Sequence, residues 1–548
     1  MMLRLVLAIV LLGGVSVAAA EVEISGTLHK WQPLTLDVNE PSLTTSENAN
    51  NPNPFLDMAL VVEFSAPSGD VFTVPGFYAG DGKGNGSGSV WRVRFAPSET
   101  GNWQYRVTFR QGDEIAISSN TSSGTALPSN GTTGDFNITA VPEDAPGFTA
   151  VGALQYDGHH YLKFADGPYW IKGGVDSPEN FFGFAGFDNT IDHSGGVDSD
   201  GLTLGVHRYE EHVADWREGD PEFNNIATGF SGRGIIGAVN YLADQGVNSL
   251  YFLPMNLGGD GRETYPFLGT SGSRSDNTHY DISKLHQWNQ VLNHMQNRGI
   301  AAHLVLAETE GGNTNWFDNG QLGDERKLYY RELVARFSYL LALKWNLSEE
   351  SRYGDERHRE FAAYIRSIDW AQHQVAVHTN RDRAGERYDG LVGNMDFDAT
   401  SIQYSPDQAE SHVETWRRRS AEAGWPWVVD MDENSPAGEG LTDTNAQDLR
   451  RSVLYPVYFS GGNLEWYFGY HDLPLGGDIR TENFRTRETM FRYMRFAREF
   501  MEVHLPFHEM EPNDALHNRS SQSDIQVFAK VGEVYALYLP EGNIGGEL

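Results

Sequence analysis

From Glu21 to about residue 140 the chain runs in short alternating stretches separated by turn residues. Leu34–Leu36, Ala59–Phe64, Val71–Val74, Val90–Phe95 and Trp103–Phe109 predict strands, and a Ser/Thr/Gly-rich loop over Gly112–Gly134 leads to one more. Within Val90–Phe95, Trp91, Val93 and Phe95 alternate with Arg92 and Arg94, which puts one face of the strand in a core and the other in water. This pattern predicts an antiparallel β-sandwich over residues 21–142. Gly80–Ser89 is a loop and not a phosphate cradle, because a strand follows it where a helix would be needed.

Beyond Pro142–Thr149 the rhythm changes to strands alternating with helices. Tyr169–Gly174, Val247–Leu253, Ile300–Ala307, Leu340–Asn346, Gln374–His378, Ser401–Tyr404, Trp427–Met431 and Asn463–Phe468 predict eight strands. Helical periodicity lies between most of them, at Ile235–Gln245, Ser283–Arg298, Arg326–Ala335, Asp355–Ile368, Ala409–Ala423 and Thr444–Tyr455. Eight such units predict a (β/α)8 TIM barrel over residues 150–505. An open doubly wound sheet would carry a Gly-rich fingerprint after its first strand, and Ile171–Asp176 does not match one. Thr486–Glu502 predicts a long amphipathic helix. Ile525–Ala529 and Val534–Leu539 predict a hairpin in a short β segment, 506–548, that either packs on the barrel or belongs to an incomplete β domain.

Met1–Ala20 has Arg4, an apolar run Leu5–Leu12 and a small-residue end, Ala18-Ala19-Ala20, the build of a cleavable signal peptide. A secreted or periplasmic protein is expected. No later stretch approaches the roughly 20 apolar residues of a membrane helix, so no membrane insertion is expected. The absence of Cys excludes thiol chemistry and Cys-ligated metals. With 41 Lys and Arg against 75 Asp and Glu, the net charge of −34 excludes a general attraction to phosphate backbones, so no nucleic-acid partner is expected.

Barrel enzymes carry their reacting groups at the C-terminal ends of strands. Here those ends are rich in carboxylates: Asp176, Asp260, Glu308, Glu310, Glu349, Glu350, Asp430, Asp432, Glu433 and Glu465, accompanied by Trp316, Trp345, Tyr404, Trp466 and Tyr467. Paired carboxylates beside flat rings suit sugar hydrolysis: one acid protonates the departing oxygen, its partner attacks or activates water, and the rings stack on the sugar. Strand parity in Leu341–Glu350 puts Leu343, Trp345 and Leu347 outward and Lys344, Asn346, Ser348 and Glu350 inward. Lys344, costly if unpaired, is expected to meet an acid. In the seventh strand the same parity turns Asp430 and Asp432 inward, and only a bulge would re-aim Glu433.

Trp345–Glu350 resembles the fourth-strand motif of clan-A retaining glycoside hydrolases, in which an Asn-Glu pair ends the strand and its Glu is the acid/base. The resemblance implies Glu350 as acid/base. Pro426–Glu433 resembles their seventh strand, which implies Glu433 as nucleophile, and Trp466 matches the Trp that floors their sugar site. The whole chain resembles secreted bacterial proteins that join an N-terminal Ig-like domain of unknown function to such a barrel. Gly26–Leu34, Asn53–Asp57, Val74–Tyr78, His207–Glu210, Gly323–Glu332 and Glu465–Tyr470 carry that likeness. It implies hydrolysis of a polysaccharide or oligosaccharide, with a marine algal galactan as one substrate class. Glu349 stands where the family has Asn, which leaves the roles of Glu349 and Glu350 open to exchange.

Asn346, Glu349, Trp466, Glu465, Glu308, His303 and Tyr404 are the candidate sugar contacts. For His303 a hydrogen-bonded core position is an equal alternative. Asp198-Ser199-Asp200-Gly201 lacks the remaining ligands of a calcium loop, so no metal is expected, and the chemistry requires no cofactor. A carbohydrate is the only partner implied, and oligomeric state is not written in the sequence. A polysaccharide-binding protein that keeps the barrel without catalysis is the second reading, and a lyase is a weaker third.

Overall fold

A computed structural model describes residues 20–120, 122–192, 205–259, 261–269, 277–309, 312–434, 440–469, 476–517 and 525–540. The leader up to residue 19, Asp198–Gly201, Asp260, Glu310 and Tyr470 lie outside the described residues. Most of the N-terminal strands form two antiparallel sheets, beside a two-stranded pair, Thr45–Ser46 with Ser87–Gly88. One runs in the order Glu21–Ser25, Leu34–Asn39, Val90–Phe95, Phe77–Tyr78. The other runs Thr125–Ala126, Gly101–Gln111, Met58–Ser65, Val71–Pro75, with Thr133–Ile138 also on Gly101–Gln111. Phe64 from one sheet stacks on Phe95 from the other at 4.4 Å between ring centres, and Trp91 and Trp103 fill the same core. Alternation of large apolar and polar residues thus produces a two-layer packing around aromatic rings.

The second region is an eight-stranded parallel sheet curled into a barrel. Its strands, first to eighth, are Gly173–Asp176, Ser249–Phe252, Ala301–Val305, Leu343–Asn346, Gln374–Ala376, Ile402–Gln403, Asp430–Glu433 and Asn463–Tyr467. Each pairs with its neighbour, the first with the eighth, and a parallel bridge between His378 and Ser401 joins the fifth to the sixth. The expected strand Tyr169–Gly174 is two elements. Tyr169–Trp170 belongs to a small antiparallel sheet with Leu154–Gln155 and Leu162–Phe164, and the barrel strand starts only at Gly173. Phe164 and Trp170 from that sheet, with Trp31 and Phe148, close the N-terminal end of the barrel against Ala301, Ala342, Ala376, Ala399 and Val428. Small side chains at these strand starts admit the rings, so this end is a packed floor and the opposite end is left for chemistry.

Helix Asp324–Phe337 forms the seam with the N-terminal sheets. Arg336 donates to the Tyr78 carbonyl at 3.0 Å and pairs with Glu332 at 2.9 Å, while Arg331 reaches the Leu60 carbonyl. The Gly323–Glu332 stretch that looked like family signature is therefore a docking surface as much as a packing helix. At the other end of the chain, Glu511–Pro512, Gln526–Lys530 and Val534–Tyr538 make a three-stranded antiparallel sheet. Tyr538 stacks on Tyr455 and touches Phe459, so this segment packs on the barrel's outer helices.

Candidate active site

The lumen is filled by charge. Just ahead of the first strand Lys172 reaches Asp432 at 2.5 Å, Asp430 at 2.9 Å and Glu465 at 3.2 Å; from the fourth, Lys344 reaches Asp432 at 2.8 Å and Asp430 at 2.9 Å. All five are buried. Two lysines and two aspartates balance, and the third acid is the odd one. Burial pushes Glu465 up to about 8, with Lys172 opposing and Asp432 adding, so it carries a proton at neutral pH. Burial works against charge on Asp432 as well, but Lys172 and Lys344 hold its carboxyl well below the usual range.

Asn346 orders the neighbouring layer. Its Oδ1 accepts the His378 backbone N–H at 3.0 Å, which leaves Nδ2 to donate to His303 Nε2 at 3.1 Å and to Ser401 Oγ at 3.0 Å. His303 must then carry its proton on Nδ1, which donates to Glu465 Oε2 at 2.8 Å. Burial and then Lys344 keep His303 neutral by pulling it well below its ordinary value. Asn346, His303 and Glu465, expected as sugar contacts, are thus saturated by one another and by the Ser249 hydroxyl. They form the scaffold under the pocket.

At the C-terminal end two carboxylate groups of residues assemble. Asp176, His378 and Glu433, from the ends of the first, fifth and seventh strands, bring ligand atoms within 4.8 Å of one another. Glu179, Glu308 and Glu349 do the same, from the ends of the first, third and fourth. The seventh strand shifts register against the sixth, Ile402 facing Met431 but Gln403 facing Glu433, so one residue is skipped. That bulge lets Asp432 and Glu433 both leave the outer layer, and Glu433 Oε2 stands 3.6 Å from His378 Nε2. Burial pulls His378 down to about 3, leaving it neutral. Asp176 is raised well above the carboxylate range by burial, and then by the charges of Glu433 and Glu349. Tyr251 and Tyr467 also feel the charges of both Glu349 and Glu433.

Glu350 takes a different direction. Its backbone is left-handed, φ 41°, unusual for a residue with a side chain. The turn separates it from Glu349: Asn380 Nδ2 donates to Glu350 Oε2 at 3.2 Å, and Gln403 bonds it as well. Burial raises its carboxyl, with these bonds opposing. Glu349 goes instead to Glu179 and Glu308, and Glu308 accepts from Asn256 at 3.2 Å.

Trp466 and Tyr404, expected as sugar platforms, are not brought to the pocket. On the eighth strand Glu465 points inward and Trp466 outward, where it is 0 % exposed among the residues packed under the helices. Tyr404 stacks on His412 and its hydroxyl accepts the Ala384 N–H. Tyr467, one residue on, and Tyr251 are aromatic side chains within the field of these acids. Asp176 is among the strand-end carboxylates; Tyr251, Lys172 and Glu179 are additional site and lumen residues. Inward parity at 172, 174 and 176 and on the second strand (249, 251) is the signal for Lys172 and Tyr251, while Glu179 follows a turn and has none.

Residues 27–110 match the model of a domain of unknown function, DUF5060. No curated protein matches the sequence. Among solved structures, the chain is similar to a protein from Bacteroides vulgatus ATCC 8482 described provisionally as a glycoside hydrolase. Its TM-score is 0.61 at 17% identity, covering 92% of this chain and 83% of that one. A glycoside hydrolase family 5 protein from the same organism gives 0.45 at 14%, covering 69% and 77%. A family 5 mannosidase from Rhizomucor miehei gives 0.42 at 12%, covering 64% and 99%. The structural neighbours are glycoside hydrolases, and the likeness to the first supports a multidomain protein with a barrel of this type.

Proposed function

We propose that the protein is a retaining glycoside hydrolase of a polysaccharide, in which Glu349 is the acid/base and Glu433 the nucleophile. The observation that supports this reading is that Glu433, clustered with Asp176 and His378, and Glu349, clustered with Glu179 and Glu308, stand at the same end of the barrel, with Asp176 in the field of both. Glu433 attacks the anomeric carbon while Glu349 gives its proton to the departing glycosidic oxygen. Glu349 then takes a proton from water as that water displaces Glu433. Glu350, the acid the family motif implied, supports the pocket wall through Asn380 and Gln403. Export rests on the Met1–Ala20 pattern, and the galactan substrate class on the family resemblance.

Screening purified protein on agarose, carrageenan, β-mannan, laminarin and xylan, with reducing-end release and product sizing, tests the class of reaction. NMR of the first product is expected to show the anomer of the bond that was broken. The opposite anomer would exclude the covalent route, and affinity for a polysaccharide without any product would make the protein a binding protein.

A further inference from the structure

Resting on the same site, we propose that Asp176 is a substrate-contacting residue whose two carboxyl oxygens grip a hydroxyl of the sugar bound at Glu349 and Glu433. Asp176 ends the first strand on its inward face. Gly174, two residues earlier, lies between Glu465 and Ser249 of the two flanking strands, which leave no room for a side chain there. The Asp176 side chain is 1 % exposed, and neither oxygen has a hydrogen-bond partner in the protein. A buried carboxyl with empty donor and acceptor sites costs stability unless something else fills them.

Burial, and then the groups facing it, raise its carboxyl well above the usual range. Glu433 and His378 lie within the same 4.8 Å cluster. Glu349 adds its charge from the fourth strand, and Asp478 from the segment that follows the eighth. Asp176 in turn acts on Tyr251, as do Glu349 and Glu179, while Tyr467 feels Asp478, Glu433, Glu179 and Glu349. His378 is neutral and brings no positive charge. Lys172, just ahead of the same strand, is committed to Asp430, Asp432 and Glu465 in the layer beneath. A second negative charge between Glu349 and Glu433 would meet only repulsion. The neutral acid offers one donor and spare acceptors, the complement of a sugar hydroxyl, and adds no repulsion toward the carboxylate that attacks.

Two measurements test this separately. The first needs no substrate: infrared difference spectra of the full protein against Asp176→Asn at pH 7. A protonated-carboxyl stretch present in the parent and lost in the variant is expected, and its absence would overturn the proposal. The second compares Asp176→Ala and Asp176→Asn on the cleaved polysaccharide. Asp176→Ala is expected to lower kcat/KM by about 10- to 100-fold, the loss of one or two buried hydrogen bonds. Asp176→Asn, isosteric with the neutral acid, is expected to recover about tenfold of that loss. Asn no better than Ala, or Ala equal to the parent, would overturn it. Glu349→Gln and Glu433→Gln run alongside: if they stay active the site itself is wrong, whereas if they are inactive and Asp176→Ala is not impaired only the Asp176 assignment fails.

Discussion

Lys344 on the fourth strand and Asp432 on the seventh meet at 2.8 Å in the barrel lumen, one residue before Glu433 in the chain. The pair ties the wall that carries one proposed catalytic acid to the wall that carries the other. Removing one partner leaves a buried charge uncompensated, which costs far more than the pair itself contributes.

Lys344→Met is therefore expected to destabilise the protein by about 3–5 kcal/mol. Adding Asp430→Asn should recover part of the loss, because the lumen then again holds matching numbers of charges. Urea unfolding of the two variants checks this. A single variant within about 0.5 kcal/mol of the parent would mean that water reaches the lumen.

Glu465 sets a pH dependence. Its folded value of about 8 lies above the roughly 4.3 of an unfolded glutamate, so between those values the folded state holds a proton that the unfolded state has released. Its contribution to stability is therefore present at low pH and is lost as pH rises toward 8. Glu465→Gln should flatten that fall, which melting temperatures between pH 5 and 9 would show. The same slope in both proteins would contradict the protonated lumen.

Parity on the eighth strand separates two neighbours. Trp466→Ala should cost about 3–5 kcal/mol as a large core deletion and leave KM unchanged. Tyr467→Ala should instead lower kcat/KM by about tenfold, the order of one buried hydrogen bond with a stacked ring. Unfolding midpoints and kinetics on one polysaccharide separate these outcomes, and a raised KM in Trp466→Ala would return it to the pocket.

How far the chain could be read without coordinates follows from where period-two alternation survives. Val90–Phe95 alternates cleanly between core and solvent, and it is a strand in the structure. In the barrel both faces are buried, so Tyr169–Gly174 looked continuous although the chain breaks at Ile171-Lys172. Lys344 was legible because a lysine at an inward position demands an acid. Glu349 and Glu350 were not separable, because a left-handed residue between strand and helix cancels parity, and no side-chain pattern announces a positive φ at Glu350. Trp466 was misplaced for the converse reason: its neighbours suggested sugar stacking, while the inward position of Glu465 already required Trp466 to point outward.

The most direct test compares Glu349→Gln with Glu350→Gln in reducing-end release from the polysaccharide the protein cleaves, with both variants shown to be folded. Glu349→Gln is expected to lose about 100- to 10,000-fold in kcat, and Glu350→Gln to remain within about tenfold of the parent. The reverse order would make Glu350 the acid, and full activity in both would contradict a carboxylate pair from the fourth and seventh strands.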